Sequence, residues 1–307
     1  MATRDVLAEI RRAGRPHGVV TDDALRLTAR QRQIACHNGL LTRRHPGVYI
    51  DPARPRTPLQ ELAAAVAAGG RLAAAWGRSS GALWGVIPEH PPTPEIVVPR
   101  RRHARVAGAA VHRSSALTQD CTMIRSGILT VKPLLTAIDL GVVLSPMEVA
   151  EVLIRARQLK LFEPDAVRAE IARITRPGRT GIRNARAALE LVMIGDRPAD
   201  SVLELRFHHG PGRMLPPYEY QWPVEVRGHK FRIDFAYPSV KVAIEVQGYE
   251  TRVTRAAFDD EALRTRLLAV DGWTVVPCTW THVQFDPMTV ASDVLATLGA
   301  ANYVFRG

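Results

Sequence analysis

Three observations predict an α+β, α/β chain of more than one domain. The 307 residues are enough for two or three hydrophobic cores. The first fifty residues alternate short helical stretches with two β-rich runs around His45-Pro46-Gly47. Near the other end, KFRIDFAYPSVKVAIEVQG (230–248) sets two β-branched runs on either side of a Tyr237-Pro238-Ser239-Val240 turn, a hairpin signal. Domains are expected over 1–55, 56–197 and 198–307.

The N-terminal segment parses as a winged helix-turn-helix. Residues 4–13 form an amphipathic helix with Val6, Leu7 and Ile10 inward. After a Gly14–Gly18 break, Thr21 and Asp22 cap an expected second helix, DALRL. Thr28 and Gln31 make a capping box that opens a third, RQRQIACHNG, which stops at Gly39. LLTRRHPGVYI then gives two strands and a wing. Residues 1–60 hold eleven Arg against five acids, a surplus of six. A helix-turn-helix places its second helix in the major groove. Here that helix offers Arg30, Gln31, Arg32, Gln33 and His37, and the wing offers Arg43 and Arg44, groups able to reach base edges or phosphates. The polar face of any small helix has this composition too, and winged helices also serve protein contacts.

Residues 57–195 carry no chemical motif. LQELAAAVAAGG is helical and EIVVP and AAVHRS are strands. Pro99-Arg100-Arg101-Arg102-His103 lies between those strands, as a phosphate contact or a solvated hairpin tip. Ser145, Pro146 and Glu148 form a capping box with Pro at the first helical position. A hinge is expected over 176–181, and the proline-bearing GDRPAD stretch reads as a boundary.

The chain carries 41 basic against 30 acidic residues, a formal net charge of +11. That balance points to a polyanionic partner such as DNA. Only four of the basic residues are Lys, so part of the excess reflects an Arg- and Ala-rich composition. No run approaches the length of a spanning helix and MATRDVLAEI has no hydrophobic signal core, so the expectation is a cytoplasmic protein with no membrane partner. Cys36, Cys121 and Cys278 are scattered without CxxC spacing and read as reduced small hydrophobes.

In the hairpin, Asp234 interrupts the first strand and Glu245 and Gln247 lie two apart, on one face of the second, with Val246 turned toward a core. Oxygen-bearing side chains on strands that want burial are costly unless something binds them. A hard cation, Mg²⁺ or Mn²⁺, suits two carboxylates plus water and phosphate. The same spacing also suits outward-facing acids on an ordinary half-exposed hairpin, with Lys241 as counter-ion.

SVLELRF (201–207), RIDFAYP (232–238), IEVQG (244–248), FDDEALRTRLLAVDGWTVV (258–276) and TWTHV (279–283) resemble, in order and spacing, the very-short-patch-repair-like endonuclease domains of the PD-(D/E)XK superfamily. The resemblance implies a restriction-endonuclease-like α/β/α domain and a metal-dependent DNA endonuclease. Asp234 and Glu245 would be its metal ligands, and Gln247 would stand where a Lys orients water or phosphate. Glu204 would be the acid of the preceding helix, although Ser201 and Glu204 also form a capping box. The chain departs from the pattern at Gln247, commonly Asp in these domains, and at Glu250-Thr251-Arg252, where a Trp-His pair is usual. Arg264 and Arg266, on the helix after the hairpin, are candidates for phosphate contact. His208 and His209, one residue apart, are unassigned.

The N-terminal and middle regions resemble AbiEi-type antitoxins, through the Gly-Leu-Leu…Arg…Gly-Val-Tyr ending of the first domain and the AAWGRSSGALWGV and ILTVKPLLTAIDLGVVL stretches. That resemblance implies a DNA-binding regulator of a type IV toxin–antitoxin system, with its operator and a cognate toxin as partners. Two functions therefore stand: an endonuclease with a DNA-reading domain, and a non-catalytic, antitoxin-like regulator with a degenerate nuclease fold.

Overall fold

The computed structural model describes residues 3–14, 17–174, 181–247 and 255–304. The expected hinge at 176–181 falls almost wholly outside them, as do Glu250, Thr251 and Arg252. The chain is mixed α+β and divides into two compact units, Met1–Leu189 and Glu190–Gly307. Among the described residues no helix is long and apolar enough to cross a membrane.

The first unit opens with α1 (Thr3–Ala13), β1 (Val19–Thr21), α2 (Ala29–His37), β2 (Thr42–His45) and β3 (Val48–Ile50). The strands pair antiparallel in the order β1-β3-β2. Ile10, Val20, Leu25, Leu27, Ala35, Leu41 and Tyr49 bury one common core beneath them. No helix forms at DALRL: Ala24 and Leu25 donate to the Thr21 carbonyl in a single turn, and the chain then runs irregularly to α2. Leu25 and Leu27 explain why. Both are buried, and a spacing of two would place them on different sides of a helix. The capping box at α2 is formed: Gln31 N–H donates to Thr28 Oγ1 at 3.3 Å, and Thr28 N–H to Gln31 Oε1 at 2.8 Å.

The unit continues with α3 (Pro58–Gly69), β4 (Ala74–Ala75), α4 (Gly77–Trp84), β5 (Glu95–Pro99), β6 (Ala110–Ser114), β7 (Thr122–Arg125) and β8 (Ile128–Val131). They build a five-stranded sheet, β6-β5-β4-β8-β7. The strands flanking the basic stretch at residues 99–103 pair parallel, so this is a crossover connection and not a hairpin tip. α3 joins the first sheet to the second: Ala64 packs with Val48 and Ile50, while Leu62 and Ala65 pack with Ile96 and Val98. Helices α5 (Pro133–Leu140), α6 (Pro146–Gln158), α7 (Pro164–Ile174) and α8 (Ile182–Leu191) complete this part. The Ser145–Glu148 capping box opens α6 as the sequence implies.

The second unit begins with a short hairpin, β9 (Met193–Ile194) and β10 (Arg197–Pro198). The GDRPAD stretch read as a boundary is the turn and second strand of this hairpin, with Gly195 supplying the positive φ. Then follow α9 (Val202–His209), β11 (Glu219–Val226), β12 (His229–Tyr237), β13 (Val242–Gln247), α10 (Arg255–Val270), β14 (Thr274–Thr279), α11 (Trp280–Phe285) and α12 (Pro287–Ala300). The sheet order is β11-β12-β13-β14; the first three strands are antiparallel and β14 joins parallel to β13 after the α10 crossover. Phe235 meets Phe207 of α9 with ring centroids 4.5 Å apart, while the next residue, Ala236, packs with Leu268 of α10. Adjacent strand residues face opposite ways, so helices cover both faces of the sheet. The expected hairpin is present, with Pro238–Val240 as a 3₁₀ turn and Lys241 in the left-handed region at φ 51.

A nine-residue helix is marginal on its own, so α2 depends on its cap. Thr28→Ala is expected to lower stability by about 1 kcal/mol, and Thr28→Ser to restore most of it. The urea midpoints of the two variants check this; an unchanged midpoint in Thr28→Ala would show that the cap contributes nothing.

Candidate functional site

The site is set by a fork in the second sheet. β12 and β13 pair at Tyr237↔Val242, Ala236↔Ala243 and Phe235↔Ile244, and the pairing stops there. One further step would set Asp234 opposite Glu245. Instead Val246 N–H donates to Asp234 Oδ2 at 2.9 Å, so a carboxylate takes the place of the next backbone acceptor. Beyond this point β12 stays with β11 and β13 with β14. The diverging strands leave room for two acids side by side.

Glu245 is buried and Asp234 nearly so, their side chains 5% and 15% exposed. Val246 is half-buried, not a core residue as the alternation implied. Arg264 of α10 serves both acids: its Nη2 lies 2.7 Å from Glu245 Oε2, 2.9 Å from Oε1 and 4.0 Å from Asp234 Oδ1. It also donates to the Arg232 carbonyl and lies over the Phe231 ring at 5.8 Å, while its buried Nε has no partner. Arg264, expected as a phosphate contact, is therefore the internal counter-ion of the pair. Lys241 takes no part; it pairs with Asp271. Arg266 is exposed.

Glu204 completes the acidic set from α9 and is buried. Its N–H donates to Ser201 Oγ at 3.1 Å, one half of the expected capping box. Its carboxylate accepts from Asp200 N–H at 3.2 Å, one residue before the cap, and from the Tyr220 hydroxyl. The same oxygen accepts Gln221 Nε2 at 3.2 Å, and that amide also lies 3.4 Å from Asp234 Oδ1, so Gln221 links Glu204 to the pair. Gln221 is the residue sequence reasoning missed. It is buried at φ 53, an unusual backbone for a side-chain-bearing residue. Its signal lay in the register, since Tyr220↔Phe235 and Trp222↔Ile233 bracket Gln221 and Asp234. Gln247 donates to Glu261 Oε1 at 2.9 Å, and Glu261 too was not anticipated.

Burial, then the charge of Glu204, pushes Asp234 up to about 7 against the partial relief of Arg264. Burial, then repulsion from Asp234, pushes Glu245 up to about 9 despite the Arg264 ion pair. One guanidinium thus under-compensates the acids around it. Once deprotonated, hard oxygen donors of this kind suit Mg²⁺ or Mn²⁺. Among the described residues no three carboxylate, imidazole or thiolate groups stand ready to hold a metal ion together. Asp234 and Glu245 would be the direct ligands, with Glu204 acting through Gln221. The outer part of the β11–β12 hairpin lines an open cavity of about 450 Å³ that includes Lys230, Phe231 and Arg232, the last two also in contact with Arg264.

His208 and His209 do meet, edge to face at 4.8 Å, because the helix ends there and both rings pack back on the fold. His208 Nδ1 bonds Tyr218 Oη at 2.7 Å and His209 Nε2 bonds the Leu191 carbonyl at 2.8 Å, so both read as structural.

In the first unit the expected DNA-contacting residues separate into two groups. Arg30, Gln33, His37 and Arg43 are exposed. Gln31 is committed to the helix cap; Arg32 pairs with Asp22 at 2.8 Å and donates to the Leu27 carbonyl; Arg44 pairs with Glu61 at 2.8 Å.

No family model matches the chain. It is 30% identical over 288 residues, 90% of its own length and 98% of theirs, to the uncharacterized proteins MT2308 and Rv2248 from two strains of Mycobacterium tuberculosis. Among solved structures, the RV2827C protein of Mycobacterium tuberculosis is similar over 64% of this chain and 86% of that one, at a TM-score of 0.39 and 12% identity, too loosely to bear on fold or function.

Both carboxyls hold protons more tightly folded than unfolded. Their contribution to stability is complete below the unfolded carboxyl range, near pH 4, and is lost as pH rises through about 7 for Asp234 and about 9 for Glu245. Arg264→Gln removes the counter-ion, so its destabilisation should grow with pH, reaching about 1.5–3 kcal/mol at pH 9 and falling well below that at pH 5. Denaturant titrations at the two pH values check this; equal losses would mean that Arg264 acts by packing alone.

Proposed function

We propose that this chain, which belongs to the same family as the Mycobacterium tuberculosis proteins MT2308 and Rv2248, is a metal-dependent DNA endonuclease whose N-terminal winged helix reads DNA. The observation that carries the reading is the fork at Asp234 and Glu245, where two buried carboxyls share one guanidinium. The order of the second unit supports it: a helix bearing Glu204, three antiparallel strands bearing the acids, a crossover helix and a parallel strand. So does the basic surplus of six in residues 1–60.

Asp234 and Glu245 would hold the cation, with water and phosphate filling its remaining positions. When bound, such an ion lowers the pKa of an attacking water and polarises the phosphoryl group. The protein's own groups position the rest. Val246 N–H and Gln221 fix the two oxygens of Asp234. Gln247, tethered to Glu261, has no charge to stabilise the negative charge that develops. Arg264, released once the pair is neutralised by the ion, would be free to turn to a phosphate oxygen.

The second reading, a non-catalytic antitoxin-like regulator with a toxin or an operator as partner, is favoured by two observations. Arg264 already engages Glu245, and Gln247 is neutral where a charge is useful.

Plasmid nicking and thermal melting with Mg²⁺ or Mn²⁺ separate the two readings. Metal should raise the melting point, by the equivalent of about 2.7 kcal/mol at a hundredfold excess over Kd. Asp234→Asn should abolish cleavage and most of that gain, and Gln247→Lys should raise the rate. Neither a melting shift nor cleavage in wild type and in Gln247→Lys would leave the regulator standing. For DNA binding, Arg30→Ala/Arg43→Ala is expected to reduce the salt slope by about two units, since each phosphate contact contributes roughly 0.9. An unreduced slope would place the DNA-contacting surface elsewhere.

A further inference from the structure

α2 buries Ala35 and turns most of its surface outward. Arg30, Gln33, Ile34 and His37 stand at i, i+3, i+4 and i+7, one stripe along the helix, and all four are exposed. Three of them carry donors or acceptors suited to base edges or phosphates. The fourth is apolar: Ile34 is 50% exposed, and a β-branched residue is a poor choice for a solvated helix position. The helix has no acid in its first turn, and the nearby Asp22 is held by Arg32. The stripe is therefore a basic and polar strip with one aliphatic group at its middle.

We propose that Ile34 contacts the C5-methyl group of a thymine in the major groove of duplex DNA, with Arg30, Gln33 and His37 engaging base edges or phosphates on either side. The thymine methyl is the apolar feature of that groove, and it distinguishes T·A from every other pair. Charge complementarity selects the occupant, because a strip with Arg and His and no acid suits a polyanion. The inference rests on the DNA-reading role of the first unit, which both functional readings share, and is independent of whether the second unit cleaves.

The test uses the full-length protein. A preferred duplex is selected from a randomised library, and each thymine is then replaced by deoxyuridine, which lacks only the methyl group. Binding is followed by fluorescence anisotropy at fixed salt. At one position the replacement should weaken binding roughly fourfold, the value of one buried methyl group. Ile34→Ala should abolish the difference between thymine and uracil there, while leaving the salt slope, which counts phosphate contacts, unchanged. Ile34→Val should keep part of the difference. Circular dichroism checks that α2 persists, and alanine is the better helix former. Indifference to uracil at every position, or an undiminished penalty in Ile34→Ala, would overturn the inference while leaving DNA binding intact. A wild-type protein that binds no duplex above the random-sequence level would overturn the DNA-reading role as well. A change in oligomeric state on Ile34→Ala would assign the stripe to a contact between copies of the chain and overturn the thymine contact.

Discussion

Asp234 and Glu245 stand on neighbouring strands of one hairpin, so whatever folds the hairpin also forces two acids together out of water. The ladder between β12 and β13 ends where they begin, and Asp234 itself accepts the N–H that would otherwise be orphaned at the fork. Around that point the sequence places a set of compensations. Arg264 reaches in from α10, Gln221 adopts a costly backbone to bridge Asp234 and Glu204, and the Tyr220 phenol, which burial keeps protonated, donates to Glu204. Burial and mutual repulsion still outweigh these partners and hold protons on both acids above the ordinary carboxyl range. Under the proposed function, a cation bound there would displace those protons.

What was legible in the sequence was local. The boxes at Thr28 and Ser145 and the turn at Pro238 depend on residues within three or four positions of one another, and all form. The acids stood out in the sequence too, since Asp234, Glu245 and Gln247 interrupt otherwise apolar strands. Alternation paired only Glu245 with Gln247; the juxtaposition of Asp234 and Glu245 comes from the register of the hairpin. What failed depended on contacts between distant segments. DALRL looks helical by composition but must put both leucines into one core. The strands around the arginine run look like a hairpin but pair parallel across the sheet. Arg264 reads as a phosphate contact until α10 is laid across the fork, 19 positions after Glu245. Gln221 carried its signal only in the register of a strand pair.

The first unit distributes its charge with the same economy. Of the arginines grouped near α2 and the strand pair, Arg32 and Arg44 are spent on Asp22 and Glu61, where they tie the helix and the hairpin to their surroundings. Arg30 and Arg43 remain exposed, and with them the outward stripe of α2. Composition counts all four alike; only the structure separates those that hold the fold from those left exposed.

The central claim is that one guanidinium under-compensates two buried carboxyls. Carbon-13 titration of the side-chain carboxyl resonances in the metal-free protein, assigned with Asp234→Asn and Glu245→Gln, tests it most directly. Two resonances belonging to these residues should titrate well above the ordinary carboxyl range, Asp234 near neutrality and Glu245 higher. Both titrating below pH 5 would contradict the account, because Arg264 would then satisfy the pair and leave no driving force for a cation.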